Sequence, residues 1–351
     1  MVRIFLTGGT GFIGRPLTKS LLSRGWDVTA LVRKPSSPEA QSLARMGALL
    51  VSGDVADRES MRAAMSGAGI VVHNAGQYEY GVDRTGKERM QAVNVQGTEN
   101  VLGLAHELGV PRTVYVSTVQ AFGESGSPMR DETFTRQTPC RTAYEQSKTD
   151  AHDVACRLRK RGLPLIIVCP NAVIGANDHS AWGYFQRLYL NRMMPPVCWS
   201  PGSVFCCVEV NDAAEGIALA AEKGRIGETY FLNGEPKSFR ENLDYWRRRP
   251  GAFIPRVWLP AGLAAALFAP LEPLQRILGL PAFISRETVR GASTNWHYSG
   301  ERMKRELGWT HRSAEEMWLK ALDGEIRLLS RREGQSWVQR LKPLETIETG
   351  F

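Results

Sequence analysis

The 351-residue chain has only six cysteines and six histidines. No two cysteines stand at C-x-x-C spacing, and no cysteine and histidine pair up in a metal-ligand pattern, the adjacent Cys206 and Cys207 included. That shortage argues against a zinc framework and a disulfide-stapled scaffold, and leaves buried, reduced thiols in a cytoplasmic protein as the expectation. His73 and His179 lack partners at ligand spacing, so no metal is expected. Long unbroken apolar runs are missing too. Val257–Ile284, the most apolar stretch, is interrupted by Pro260, Pro270, Glu272, Pro273 and Arg276. It reads as the helical wall of an apolar pocket, or as a surface in peripheral contact with a membrane, rather than as a span. Because Met1-Val-Arg-Ile opens a strand at once, no N-terminal targeting signal is expected. No internal repeat is visible. The net charge of +8 comes without the clustered, aromatic-interleaved basic patch of a nucleic-acid binder. From Pro236 to Phe351, 19 Lys or Arg stand against 13 Asp or Glu, so this stretch carries +6 of the charge. That bias suits an acidic substrate or an anionic membrane surface. Arg247-Arg248-Arg249, its densest run, reads as a solvated face.

What the chain does have begins at its start. Val2–Leu6 is a short apolar run of the kind found in buried parallel strands, and it runs directly into Thr7-Gly-Gly-Thr-Gly-Phe-Ile-Gly14. Gly8, Gly11 and Gly14 at G-x-x-G-x-x-G spacing permit a tight turn, close backbone approach to a pyrophosphate and close packing of a following helix, expected over Ile13–Arg24. A second strand follows at Asp27–Val32, which makes dinucleotide binding the reading of the glycines. The end of that strand bears on cofactor choice. NAD is usually held there by an acid on the adenine ribose, whereas a 2′-phosphate needs positive charge. Val32-Arg33-Lys34 offers two cations and no acid, so NADP(H) is favoured over NAD(H).

Tyr144 and Lys148 share a helix face at i and i+4. A phenol near pKa ~10 is a poor acid or base at neutral pH, but a fixed positive charge beside it stabilises the phenolate. The pair therefore suits proton transfer.

Short apolar runs at Ala48–Val51, Ile70–His73, Thr113–Val116 and Leu165–Cys169 alternate with helical stretches near Glu59–Met65, Gly86–Leu108 and Ala143–Arg161. Such alternation predicts an α/β fold with a Rossmann-type, doubly wound parallel sheet. Residues 1–175 are assigned to the dinucleotide-binding domain and 176–351 to a smaller, mainly helical substrate lobe. The stretch 204–233 is expected to return to the first domain, with brief strands at Phe205–Val210 and Thr229–Leu232. Glu333–Phe351, with little periodicity, reads as a loose tail.

The combined pattern resembles the extended short-chain dehydrogenase/reductase family, also called the NAD-dependent epimerase/dehydratase family. The motifs that carry the resemblance run in family order: the glycine turn, Gly53-Asp54-Val55, His73-Asn-Ala-Gly76, Asn94-Val-Gln-Gly-Thr98, Val116-Ser-Thr118, Tyr144-x-x-x-Lys148, Pro170-Asn-Ala-Val-Ile-Gly175, Val208-Glu-Val-Asn-Asp212 and Glu306-Leu-Gly-Trp309. The resemblance implies that Tyr144 is the acid/base and that Lys148 tunes it while binding the nicotinamide ribose. It also implies that Thr118, with Ser117 as runner-up, hydrogen-bonds the reacting oxygen. Gly8, Thr10, Gly11, Phe12, Ile13, Gly14, Asp54, Val55, Ala75, Gly76, Pro170 and Val173 would surround the cofactor with Arg33 and Lys34. Asn94 would support a proton relay there, or serve as a structural side-chain-to-backbone link.

Three departures separate the chain from the family's sugar-nucleotide enzymes. Val119-Gln120 replaces the Asp-Glu that follows the active-site Thr in the dehydratases, Phe205-Cys-Cys207 replaces an Arg-Asp-aromatic step that grips a diphosphate, and Val32-Arg33 replaces the NAD-selecting acid. What remains is similar to the dihydroflavonol-reductase and 3β-hydroxysteroid-dehydrogenase branch, whose members act on fairly apolar, often cyclic ketones or alcohols. Tyr78, Tyr80, Trp182 and Tyr184 are candidates to line such a substrate pocket. A sugar-nucleotide epimerase and a non-catalytic cofactor-binding relative are the alternatives, and homodimerisation is an expectation carried by the family alone.

Overall fold

The computed structural model describes residues 2–80, 82–280 and 282–344. Strands β1 (Arg3–Thr7), β2 (Asp27–Val32), β3 (Leu49–Ser52), β4 (Ile70–His73), β5 (Thr113–Val116) and β6 (Leu165–Pro170) alternate with helices α1 (Gly14–Leu22), α2 (Pro38–Met46), α3 (Glu59–Met65), α4 (Arg84–Gln91), α5 (Gly97–Glu107) and α6 (Ala143–Lys160). The central strands are buried along their whole length because helices cover both faces of the sheet. Side chains alternate between two cores as the period of two requires. Val71 and Ile167 pack with α5 and α6 residues such as Leu104 and Ala155. Val72 and Ile166 pack on the other side with Leu17, Leu21 and Ile217.

After β6 the chain crosses repeatedly between the sheet and the lobe. β7 (Val173–Ile174) precedes α7 (Ala181–Leu190), β8 (Val197–Trp199), β9 (Val204–Phe205) and β10 (Val208–Glu209). Then come α8 (Val210–Lys223), β11 (Thr229–Leu232), β12 (Lys237–Ser238), α9 (Phe239–Asp244) and β13 (Val257–Leu259). The sheet has seven parallel strands in the order β11-β6-β5-β4-β1-β2-β3. The direction of winding reverses between β1 and β4, and the crevice of such a sheet lies outside the strands' C-terminal ends at that reversal.

Three expectations need correction. The single strand at Phe205–Val210 is two short strands, because β9 pairs with β12 in the lobe while β10 pairs with β7, leaving Cys206-Cys207 as the crossing. The helix over Gly86–Leu108 runs unbroken from Arg84 to Glu107, but it is not uniform: it widens into one π-type turn at Ala92–Gln96 that separates α4 from α5. The stretch after Glu333 is not loose as far as Leu344. A capping box between Ser336 and Gln339 starts α15 (Trp337–Leu341), and Leu341 is buried. Residues 345–351 of that stretch lie outside the described residues.

The lobe is completed by α10 (Ala261–Phe268), α11 (Leu271–Ile277), α12 (Arg286–Ala292), α13 (Glu301–Leu307) and α14 (Ala314–Ser330), with α14 and α15 both packed on α7. Its polar anchor is Arg187 on α7, fully buried, 3.4 Å from Glu325 on α14 and donating through Nε to Leu341 O at 2.8 Å. Glu325 also accepts the Asn177 N–H at 2.7 Å, and Asn177 is one of the few non-glycine residues at positive φ. Among the described residues no helix is long and apolar enough to cross a membrane. Replacing Glu325 with Ala leaves the Arg187 guanidinium buried without its counter-ion and is expected to cost about 3–5 kcal/mol. Urea unfolding of the variant checks this; an unchanged midpoint would show the pair to be dispensable.

Candidate active site

The glycine turn at the end of β1 is packed too tightly for side chains. Gly8 has φ +71°, and a Cβ there would lie 2.6 Å from Ala75 N; at Gly14 it would lie 1.9 Å from Gly8 O. The loop thus folds against the end of β4 and presents bare backbone to the crevice. His73 supports it from below. Thr98 Oγ1 donates its proton to Asn94 O at 2.6 Å, so His73 Nε2 donates to Thr98 Oγ1 at 3.0 Å, and Nδ1 accepts from Thr7 Oγ1 at 2.8 Å. Thr7 Oγ1 in turn accepts the Ala75 N–H at 3.2 Å. Both ring nitrogens are used, and burial, with Lys148 nearby, pushes the His73 pKa down to about 3.

Thr118 follows β5 in extended conformation and caps a 3₁₀ turn, Val119–Phe122, through Gln120 N at 3.2 Å. Tyr144 sits in the first turn of α6, whose N-cap Thr142 accepts the Glu145 N–H at 3.0 Å. Arg136 ties these two turns together. It donates to Glu145 Oε1 at 2.7 Å, to Thr149 Oγ1 at 3.1 Å and to Gln120 O. The Tyr144 ring meets the Tyr78 ring edge-on at 4.7 Å. Lys148 is buried, its Nζ 3.3 Å from Tyr115 Oη and 3.2 Å from Val116 O. Burial pushes the Tyr144 hydroxyl up to about 12 while Lys148 pulls the other way, and burial likewise lowers the Lys148 pKa. In this structure desolvation outweighs the cation, so the hydroxyl is held as a neutral proton donor.

A cavity of about 780 Å³ runs from the glycine turn to the lobe. Thr118, Tyr144 and Lys148 share its wall, as does the runner-up Ser117. Of the residues expected around a cofactor, Gly8, Thr10, Gly11, Phe12, Ile13 and Arg33 line one end. Asp54, Val55, Ala75, Gly76, Pro170 and Val173 line it as well. Arg33 is exposed, and no other described residue engages its guanidinium in a hydrogen bond or ion pair. Gly14, Lys34 and Asn94 do not reach the lining. Gly14 is covered by Gly8, and Lys34 is exposed one residue beyond Arg33. Asn94, in the π-type turn, spends its amide on Gln77 N, Gln77 O and Ser147 Oγ at 2.7–3.0 Å, which clasps the loop after β4 to α6.

At the far end, Tyr78, Tyr80 and Trp182 line the cavity, but Tyr184 does not; it is buried against Phe185 and Phe283 because its helix turns it inward. Sequence reasoning missed Trp199, Phe205, Phe239 and Trp296, aromatic walls contributed by four separate segments, and Asp178. The Asp178 carboxylate accepts the Ser180 N–H and hydroxyl at 2.7 and 2.6 Å, and burial pushes its pKa up to about 6. The turn signal Asn177-Asp178-His179-Ser180 was there to read; that it faces a cavity was not.

This geometry has relatives. Residues 4–232 match the model of the NAD dependent epimerase/dehydratase family. The chain is 31% identical over 318 residues, 87% of its length and 89% of the relative's, to a protein of Synechocystis sp. described as dihydroflavonol 4-reductase-like. It is 29% identical over 333 residues, 92% of its length and 96% of the relative's, to the 4-hydroxy-2-methyl-3-oxo-4-farnesyl-3,4-dihydroquinoline-1-oxide ketoreductase of Stigmatella aurantiaca. Among solved structures, the crystal structure of gox2253 superposes with a TM-score of 0.75 at 29% identity, covering 95% of this chain and 99% of the other. The chain belongs to the NAD dependent epimerase/dehydratase family and is an NAD(P)-dependent enzyme of the oxidoreductase type.

His73, held near pKa 3, and His152, lowered by burial to about 4, both lie below the free value near 6.5. The unfolded chain therefore takes up these protons first, and stability falls as pH drops from ~6.5 toward the folded values. Asp178, raised to about 6, acts in the opposite sense between its free value near ~4 and 6. His73→Gln removes one of the three groups and is expected to flatten the acid slope by up to about 1.4 kcal/mol per pH unit below pH ~6.5. Urea unfolding at several pH values checks this, and parallel profiles for the variant and the parent would exclude His73 as a source.

Proposed function

We propose that the protein is an NADP(H)-dependent reductase or dehydrogenase acting on the carbonyl or secondary alcohol of a fairly apolar, cyclic small molecule. The observation that carries this reading is one cavity whose wall holds Thr118, Tyr144 and Lys148 together, with bare glycine backbone at one end and aromatic side chains at the other. The names of the Synechocystis and Stigmatella relatives, a reductase and a ketoreductase, support the same chemistry.

The residues present fit a dinucleotide. Side chains at Gly8 and Gly14 would collide with backbone, so the turn is built to keep Gly11 and its neighbours open to a pyrophosphate at the start of α1. Arg33, at the end of β2, has no partner for its guanidinium among the described residues and supplies the cation that an adenosine 2′-phosphate needs, and no acid takes its place at the end of that strand. Ala75 and Gly76 form the floor, and Lys148 lies beneath Gly76, its Nζ 3.9 Å from where a Cβ would be. A bound nicotinamide supplies or accepts the hydride.

This chain's residues handle the proton. In reduction, the neutral Tyr144 hydroxyl protonates the developing alkoxide, which is far more basic than a phenolate, and the Thr118 hydroxyl donates to the same oxygen. In oxidation, Tyr144 must first lose its proton, and Lys148 stabilises the phenolate so formed. The aromatic walls at Trp182, Trp199, Phe205 and Phe239 exclude water and favour an apolar ring system. Phe205-Cys206-Cys207, buried and uncharged, offers a diphosphate no cation.

Tyr144→Phe is expected to leave NADPH binding within about twofold and to lower turnover by a factor of ~10² to 10⁴. Near-parental turnover would remove Tyr144 from the chemistry. The assay is NADPH oxidation against a panel of cyclic ketones, aldehydes and sugar nucleotides, read beside the cofactor content of the purified protein. Tightly held NAD with no net NADPH consumption would instead point to an epimerase that recycles its own hydride. Arg33→Ala is expected to weaken NADPH binding by roughly 1.5–3 kcal/mol, the worth of a hydrogen bond to a charged group, and to leave NADH binding nearly unchanged. Isothermal titration of both cofactors decides it, and equal losses would reject the 2′-phosphate assignment.

A further inference from the structure

Eight of the fifteen exposed large apolar side chains among the described residues fall between Phe253 and Leu278. Leu263 and Leu267 stand one turn apart on α10. Leu271, Leu274, Ile277 and Leu278 continue the surface along α11, with Ile277 82% exposed. No charged residue occurs from Val257 to Leu271. A concentration of this kind on one part of a surface marks an interaction site rather than ordinary scatter.

Positive charge borders it. A groove beside α10 is lined on one side by Ala261, Gly262, Ala265 and Ala266 and on the other by Arg286 and Arg290 of α12. The two arginines are one turn apart, so their side chains share a face. No other described residue engages either guanidinium in a hydrogen bond or ion pair, and the same is true of exposed Arg256, just before β13. Two carboxylates stand nearby: Glu272 accepts the Arg286 N–H at 2.8 Å, and Glu287 accepts the Ala143 N–H at 2.7 Å.

We propose that the α10–α11 face docks on the surface of an anionic lipid bilayer, its leucines entering the headgroup–acyl boundary while Arg256, Arg286 and Arg290 meet lipid phosphates. Apolar side chains rimmed by cations complement such a surface in both respects. A second copy of the chain fits less well, because a two-fold contact through this face brings like-charged arginines toward one another. The position of the face adds a consequence. Helix α12, which carries Arg286 and Arg290 and packs on α10, also lines the catalytic cavity through Thr288, Gly291 and Ala292. One helix therefore separates the docked face from the cavity, which suits an apolar substrate dissolved in the bilayer. The docking itself does not depend on the proposed chemistry.

Co-sedimentation of the full chain with vesicles of phosphatidylcholine alone, or mixed with phosphatidylglycerol, tests the proposal. Binding is expected only to the mixed vesicles and is expected to weaken as salt rises. The double variant Arg286→Ala/Arg290→Ala is expected to bind roughly thirtyfold more weakly, and Leu263→Asp/Leu267→Asp at least ~tenfold more weakly, each with the parental circular dichroism and Tm. Both pairs are read so that a folding defect in one leaves the other to decide. No binding to mixed vesicles, or binding that neither folded variant reduces, overturns the proposal. So does concentration-dependent dimerisation, abolished by the leucine pair, in a protein that ignores vesicles.

Discussion

A buried ammonium must find partners that satisfy it without neutralising it, and the candidate site is organised around how this chain does so for Lys148. Among the described residues its Nζ has no carboxylate partner; it has the Tyr115 hydroxyl, the Val116 carbonyl and the face of the Tyr115 ring at 5.1 Å. These partners lie on β5 and Lys148 lies on α6, so satisfying the charge fixes α6 against the sheet. Burial holds His73 neutral and the same charge adds to that effect, while it pulls against the burial that raises the Tyr144 hydroxyl. A paired carboxylate would have met the desolvation cost more fully and cancelled the field that Tyr144 feels.

Positioning relies on polar side chains that never touch the reacting atoms. Arg136 and Asn94 do parallel work: the first links the Thr118 turn to the start of α6, the second links the floor after β4 to Ser147 on the same helix. The groups that would act on a substrate come from β5, β4 and α6, and rigid cross-links between those elements hold the distances among them.

Much of this was legible because it is periodic or local. Strands at Ile70–His73 and Thr113–Val116 and the helix at Glu59–Met65 follow from runs of apolar residues at spacings that only one element satisfies. The glycine turn could be read because a steric requirement leaves no other residue type. What escaped was long-range. No local pattern says that Phe205 pairs with Lys237, that Trp296 closes a cavity begun by Gly8, or that Arg187 reaches Leu341 across 154 positions. Asn94 shows the boundary well. Its family motif placed it near the site, yet only coordinates reveal that a π-type turn spends its amide on Gln77 and Ser147. Tyr184 failed as a pocket residue for a related reason: one helical step from Phe185, and two from Trp182, decide which aromatic faces the cavity and which faces the core.

The exposed apolar face lies behind the cavity rather than in its wall. A site that admits an apolar ring needs walls that water does not favour; aromatic side chains of α7, β8, β9 and α9 supply most of them and α12 adds Thr288, Gly291 and Ala292, while α10 and α11, expected as a pocket wall, lie outside the lining. A helix of α10's size offers more apolar side chains than one inner face can bury, so a lobe rich in leucine and alanine leaves some of them outside. Ala264 and Phe268 of α10 turn inward while Leu263 and Leu267, on the same short helix, remain in solvent. If the outward residues were only surplus, polar replacements would improve solubility at no structural cost. Their concentration on two consecutive helices, bordered by unengaged arginines and one helix from the cavity, is what sets this face apart from surplus.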